Sequence, residues 1–141
     1  MRFMMIVKAS KDSEAGKMPG ASLLAAMNRY NQELMKAGVL LDLSGLHPSS
    51  KGFKVRYSAD GQPTVIDGPF AETKELVGGY WIIKVNSREE AVEWARRAPA
   101  PHENQECEIE VRQIFELSEF EPNEAIDQAR ELGKQLHNSK T

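Results

Sequence analysis

In the first eight residues, apolar side chains fall on both parities. Phe3, Met5 and Val7 share one face and Met4 and Ile6 the other, which predicts a strand covered on both sides. Residues 9–20 are polar, carry Gly16, Pro19 and Gly20, and read as a loop. From Ser22 to Ala37, Leu23, Met27, Tyr30 and Leu34 recur at spacings of four, three and four residues. That is one stripe of an amphipathic helix, closed by Gly38 in the position where a left-handed residue ends helices. Val39–Leu43 predicts a second strand, stopped at Ser44-Gly45. Lys54–Ser58 and Thr64–Asp67 flank Ala59-Asp60-Gly61-Gln62, and Asp-Gly between strand-like runs signals a hairpin. Asp67-Gly68-Pro69-Phe70 reads as a turn. Val77–Val85 is the strongest strand pattern; Gly78 and Gly79 within it suggest a bulge or a close approach by another backbone or a ligand.

Ser87–Ala98 reads as a helix with Ser87 and Glu90 at capping-box spacing, a stripe of Ala91, Trp94, Ala95 and Ala98, and a stop at Pro99 and Pro101. Cys107–Phe115 alternates apolar and polar residues as a last core strand. Glu124–His137 is a polar helix with only Ile126, Ala129, Leu132 and Leu136 on one side. The order β–α–β, hairpin, β–α–β predicts an α+β fold: a ferredoxin-like antiparallel sheet with helices on one face, and an extra C-terminal helix. The other face of that sheet would then be bare yet partly apolar. Monomers avoid such a patch, and a symmetric homodimer covers it.

Composition sharpens this picture. The 141 residues include 18 Lys and Arg against 21 Asp and Glu, a net charge of −3, which fits one domain of roughly 100–150 residues and argues against nucleic-acid binding, which needs clustered cations. Residues 116–141 hold 6 acidic and 3 basic side chains, so the remaining 15 of each sign cancel over residues 1–115. We therefore divide the chain into a domain at 1–117 and an acidic helical extension at 118–141. The single cysteine, Cys107, excludes an intrachain disulfide. The apolar run from Phe3 to Val7 is too short for a signal-peptide core, and no stretch approaches the roughly 18 apolar residues of a membrane span. The expectation is a cytoplasmic protein.

The segment Val65–Tyr80, VIDGPFAETKELVGGY, resembles the signature of the YCII-related family in its DGPF-domain branch. Ala37-Gly38-Val39-Leu40, Gly45-Leu46-His47-Pro48-Ser49, Ser87–Ala91 with Trp94, and Ile109-Glu110-Val111-Arg112 match as well, and the resemblance runs from about Met1 to Phe115. It implies a subunit that forms a dimeric α+β barrel. One branch, similar to dehydrochlorinases of chlorinated aromatics, is expected to use a His–Asp pair, and smaller members place that histidine on the first helix. Here that helix offers Met27, Asn28, Tyr30 and Asn31 and no histidine, so the pair does not carry over at that position.

Candidate chemistry centres on Asp67, either a turn carboxylate bonding backbone N–H groups or a base beside a glycine-lined strand. His47 could reach it only if their loops share one end of the sheet; otherwise it is a surface residue. Lys74, beside Glu72 and Glu75, is either a solvated cation or a lip that attracts an anionic substrate. Arg112 shares a sheet face with Glu110; it either pairs there or binds a carboxylate or phenolate with its forked donors. Tyr30, on the helix stripe, is either a core residue or an acid/base and substrate-binding one, and Gly78 and Gly79 leave room for a ligand. His102, among prolines, reads as a loop residue, and His137 lies in the tail. Cys107 reads as a small apolar residue. No metal pattern, dinucleotide fingerprint or phosphate loop is present, so neither metal nor cofactor is expected. Two functions remain: a small-molecule enzyme or binder for an anionic or aromatic ligand near Asp67, or a non-catalytic dimeric module that binds a ligand or protein.

Overall fold

The computed structural model describes residues 1–103 and 105–139; Asn104 and the last two residues of the expected 118–141 extension lie outside them. The elements are β1 (Arg2–Lys8), α1 (Lys11–Glu14), α2 (Ala21–Lys36), β2 (Leu40–Gly45), β3 (Phe53–Tyr57), β4 (Pro63–Asp67), β5 (Val77–Lys84), α3 (Arg88–Arg97), β6 (Ile109–Gln113) and α4 (Glu124–Ser139), with short 3-10 turns at Ser49–Lys51, Thr73–Glu75 and Leu117–Glu119. Four strands form one antiparallel sheet in the order β2-β5-β1-β6, and β3 and β4 form a separate hairpin. This is the expected ferredoxin-like α+β arrangement.

Register explains the layering. Met5 pairs with Trp81 and Val111, Phe3 with Ile83, and Leu40 with Ile83, so these side chains share one face. There they meet Tyr30 and Leu34 of α2 and Ala91 and Trp94 of α3 in the core. The other face carries Met4 and Ile6 of β1, opposite Ile82 and Tyr80 of β5 and Arg112 and Glu110 of β6. Met4, Ile6 and Ile82 stay out of the core and half-exposed.

Local chemistry sets the ends. After α2, Gly38 adopts φ +73°, its N–H bonds the Met35 carbonyl, and the Val39 N–H bonds the Leu34 carbonyl. That closes the last turn and brings apolar Val39 onto apolar Leu34. Ser87 Oγ accepts the Glu90 N–H at 3.1 Å, while the Glu90 carboxylate accepts from Asn86 N–H rather than from Ser87. The hairpin turns at Asp60-Gly61, with Gly61 at φ +87°. The strand expected at Cys107–Phe115 is limited to Ile109–Gln113, leaving Cys107 in the preceding loop. The stretch 9–20 is not all loop. Ser10 and Ser13 bond each other's backbone N–H groups and nucleate α1, a capping pair with serine replacing the usual acidic partner.

The chain end is lightly attached. Asn123 Oδ1 accepts the Ile126 N–H to start α4, but Leu132 and Leu136 are 65% and 58% exposed. No helix among the described residues is long and apolar enough to cross a membrane.

Candidate functional site

A cleft of about 1060 Å³ lies at one end of the helix-covered sheet face, a volume suited to a small organic ligand. Its origin is a gap in the side-chain layer. Gly45 of β2 pairs with Gly79 of β5, so two neighbouring positions on that face project nothing. The expected bulge and the expected close approach are both present and fall on different glycines. The β1–β5 register passes from Val7↔Gly79 to Lys8↔Val77, skipping Gly78. At Gly79, a β-carbon would lie 2.9 Å from the Ser44 carbonyl oxygen. Val7, Leu23, Met27 and Trp81 give the cleft apolar walls, and His47, Lys51, Asn31 and His102 give it polar ones.

One wall is the 47–51 segment, and the DGPF stretch holds it from behind. Gly68 packs so closely there that a β-carbon would sit 1.8 Å from the Ser49 carbonyl oxygen. Gly68 N–H donates to the Gly52 carbonyl at 3.0 Å and Phe70 N–H to Ser49 Oγ at 3.0 Å. Lys54 Nζ stands 4.2 Å from the centre of the Phe70 ring, a cation–π contact. From the other side, the Glu14 carboxylate accepts both the Ser49 N–H, at 2.8 Å, and the Ser49 hydroxyl. Ser49 thus ties α1, the wall and the motif together, its two bonds to Glu14 being charge-assisted.

The expected site residues separate into two groups. His47, Gly78 and Gly79 line the cleft. Asp67, Lys74, Arg112 and Tyr30 are not among its lining residues. Asp67 ends β4 opposite Phe53, exposed, one residue from the Gly68–Ser49 contact. Its carboxylate has no hydrogen bond or ion pair among the described residues, so the turn-capping bonds considered for it are absent there. Lys74 is exposed in the 73–75 turn. Arg112 faces Met4 on the second sheet face; Glu110, weighed as its partner, instead lies 3.7 Å from Lys8. Tyr30 lies in the core, outside the cleft lining. It is 4% exposed, and its hydroxyl donates to the Trp94 carbonyl at 2.6 Å, so its oxygen is committed to the core. Burial pushes its hydroxyl up to about 12, the Arg97 cation opposing and Glu33 adding to the shift.

Three polar residues of the site carried little signal in the sequence. Glu14 sat in a stretch read as loop. Asn31 accepts the Trp81 Nε1–H at 2.7 Å; it follows Met27 by four residues and so shares its helix side. His102, read as an ordinary loop residue, places Nε2 2.8 Å from the Lys8 carbonyl oxygen, and Cys107 Sγ lies 3.8 Å from the His102 carbonyl. Among the described residues no group of three or more His, Cys, Asp or Glu side chains could hold a metal.

An antiparallel sheet in the order β2-β5-β1-β6 with two helices on one face is a ferredoxin-like α+β architecture, here with a glycine-floored cleft at its end. The YCII-related domain model matches residues 1–118, and the chain belongs to that family. It is also similar to an uncharacterized protein of Rhizobium meliloti (strain 1021), 37% identical over 70 residues, which are 50% of this chain and 56% of that protein. The match thus spans about half the length of the curated relative.

Proposed function

We propose that this chain is a homodimeric small-molecule-binding protein whose ligand site is the glycine-floored cleft. The observation that carries the reading is the paired Gly45–Gly79 gap, flanked by the Trp81 indole and by side chains with hydrogen-bonding capacity. A ligand there is small, apolar on its faces and oxygen-bearing at its edge; Lys51 on the rim favours an anion. In the catalytic form of the reading, His47, which lines the cleft, handles the proton. The half-exposed Met4, Ile6 and Ile82 support the dimer, because a second copy removes that apolar face from water. Arg112, on the same face, then needs a carboxylate across the interface.

Spectra of the 15N-labelled protein against a library of small aromatic and anionic compounds test the site. Ligands should move the Trp81 indole and Gly79 signals and leave Trp94 unmoved; a library that moves none of the cleft signals overturns the reading. Sedimentation should give twice the 15.8 kDa chain mass, and Ile82→Lys should give the single chain.

The other reading, a dimeric module without catalysis, is favoured by one observation: Asp67, Lys74 and Arg112 do not line the cleft with His47. Truncation after residue 117 tests whether the tail takes part in such a module. Loss of a partner or of the dimer supports a module in which the tail takes part, and unchanged behaviour removes the tail from it.

A further inference from the structure

The Trp81 indole nitrogen is a donor only. Its 2.7 Å bond to Asn31 therefore fixes the amide with Oδ1 toward Trp81. The Asn31 Nδ2 donors then find no acceptor among the described residues, although the side chain is half-buried and lines the cleft. The same logic fixes His102. The Lys8 carbonyl is an acceptor only, so Nε2, at 2.8 Å, carries the proton. In the neutral ring Nδ1 is then a bare acceptor, and it has no partner among the described residues. Each side chain is thus held by one bond to the fold and has one unused polar function of opposite kind.

Their anchors stand on neighbouring strands, Trp81 on β5 and Lys8, directly after Val7, on β1. Trp81 pairs with Met5 and Gly79 pairs with Val7, so Trp81 and Val7 sit on neighbouring strands two registers apart. That puts their Cα atoms about 8 Å apart, from a strand spacing of about 4.8 Å and a rise of about 3.4 Å per residue. Gly79, opposite Val7, projects no side chain. The space it leaves admits a flat ring, and the Trp81 indole offers that ring an apolar flank.

We infer that Asn31 and His102 are a paired ligand-recognition device, selecting a planar ring compound with an acceptor oxygen at one end and a hydroxyl at the other. The oxygen accepts from Asn31 Nδ2, and the hydroxyl donates to His102 Nδ1. This rests on the proposal that the cleft is a ligand site, and adds which atoms choose the ligand.

The test uses 4-hydroxyacetophenone as probe, with 4-ethylphenol lacking the acceptor and 4-methoxyacetophenone lacking the donor. Binding is followed through the Trp81 indole and Asn31 side-chain amide signals. The full probe should bind about five- to tenfold more tightly than either control, one neutral hydrogen bond each. Asn31→Asp keeps the acceptor for Trp81 and removes the donors; it should weaken the full probe and 4-methoxyacetophenone and leave 4-ethylphenol unchanged. His102→Gln keeps a donor for Lys8; it should weaken the full probe and leave 4-methoxyacetophenone unchanged. The 15N spectrum should show His102 protonated at Nε2. Equal binding of the three compounds in the cleft overturns the inference and leaves the ligand site standing. No binding of any of them, while other ligands move the cleft signals, also overturns it. The comparison among compounds uses the unaltered protein, so it decides the matter even where a variant fails to fold.

Discussion

Tyr30→Phe isolates one buried hydroxyl. The Trp94 carbonyl belongs to the last turn of α3, and the Ala98 N–H, which would continue the helical ladder to it, bonds Ala95 at 3.2 Å instead. Carbonyls of a last helical turn need partners from outside the helix, and the Tyr30 hydroxyl at 2.6 Å is that partner. Phenylalanine keeps the ring against Trp81, at 5.4 Å and 85°, and Trp94, at 6.4 Å and 65°. The variant therefore loses the bond and strands the acceptor, costing about 1–3 kcal/mol. A second signature is alkaline. Burial raises the hydroxyl from 10.0 to about 12, so the folded state holds this proton more tightly than the unfolded chain. That stability is present in full below about pH 10 and is lost as pH rises toward 12, up to about 2.7 kcal/mol from the two-unit difference. Urea unfolding at pH 7 and from pH 9 to 12 measures both. Tyr30→Phe should be destabilised at neutral pH and should lose less stability across the alkaline range. A variant within about 0.5 kcal/mol of the parent at pH 7, with an unchanged alkaline profile, refutes the assignment.

Gly68→Ala should displace the hairpin base, because its β-carbon would overlap the Ser49 backbone oxygen; faster amide exchange at Gly52 and Phe70 with an intact core sheet is the expected result. Glu14→Gln weakens two bonds to Ser49 and should cost about 1–2 kcal/mol, read by unfolding and by proteolysis within 47–51. Ser87→Ala removes the N-cap of α3 and should cost about 1 kcal/mol in the same unfolding assay. Arg2 and Glu116 bond through two nitrogen–oxygen contacts at 2.8 and 3.1 Å, and this bond holds the Glu116 carboxyl below the usual range. Its contribution should be present above the ordinary carboxylate range and fade as pH falls through the lowered value. It should amount to less than about 1 kcal/mol because both side chains are 39% exposed; Glu116→Gln should flatten that acid limb in pH-dependent unfolding.

The fold was legible because periodicity and punctuation agreed. The stripe from Leu23 to Leu34, the Gly38 stop and the Asp60-Gly61 turn each name an element and its end from local physics. Alternation placed Met4 and Ile6 opposite Phe3 and Met5, which anticipated a second apolar face. Less legible was whatever depended on spacing between elements. Tyr30 sat on a stripe that favours the core in sequence but leaves its hydroxyl without an evident partner, and the Trp94 carbonyl supplies one. Glu14 lay in a segment whose helix depends on a Ser10–Ser13 pair, a weaker signal than a Ser-to-Glu box. Asn31 and His102 are placed by what holds them, an indole 50 positions away and a carbonyl 94 positions away. No local pattern reports such partners.

Reading chemistry from charged residues drew attention to Asp67 and Lys74, yet the stretch around them builds a wall. Gly68 serves by having no side chain, Phe70 by its N–H and ring, and Ser49 by joining three segments. The cleft in front of that wall likewise owes its volume to Gly45 and Gly79 meeting across two strands. A search by residue type favours groups that can titrate, whereas the cleft here is made by groups that cannot. The two glycines of β5 divide that work: Gly78 absorbs the register change against β1, and Gly79 lets the β2 backbone come close. Alanine at Gly79 would push against the Ser44 carbonyl at 2.9 Å and add a methyl group beside the cleft floor. Alanine at Gly78 meets nothing nearer than 3.6 Å, so a difference between these two variants would locate the cleft floor at Gly79.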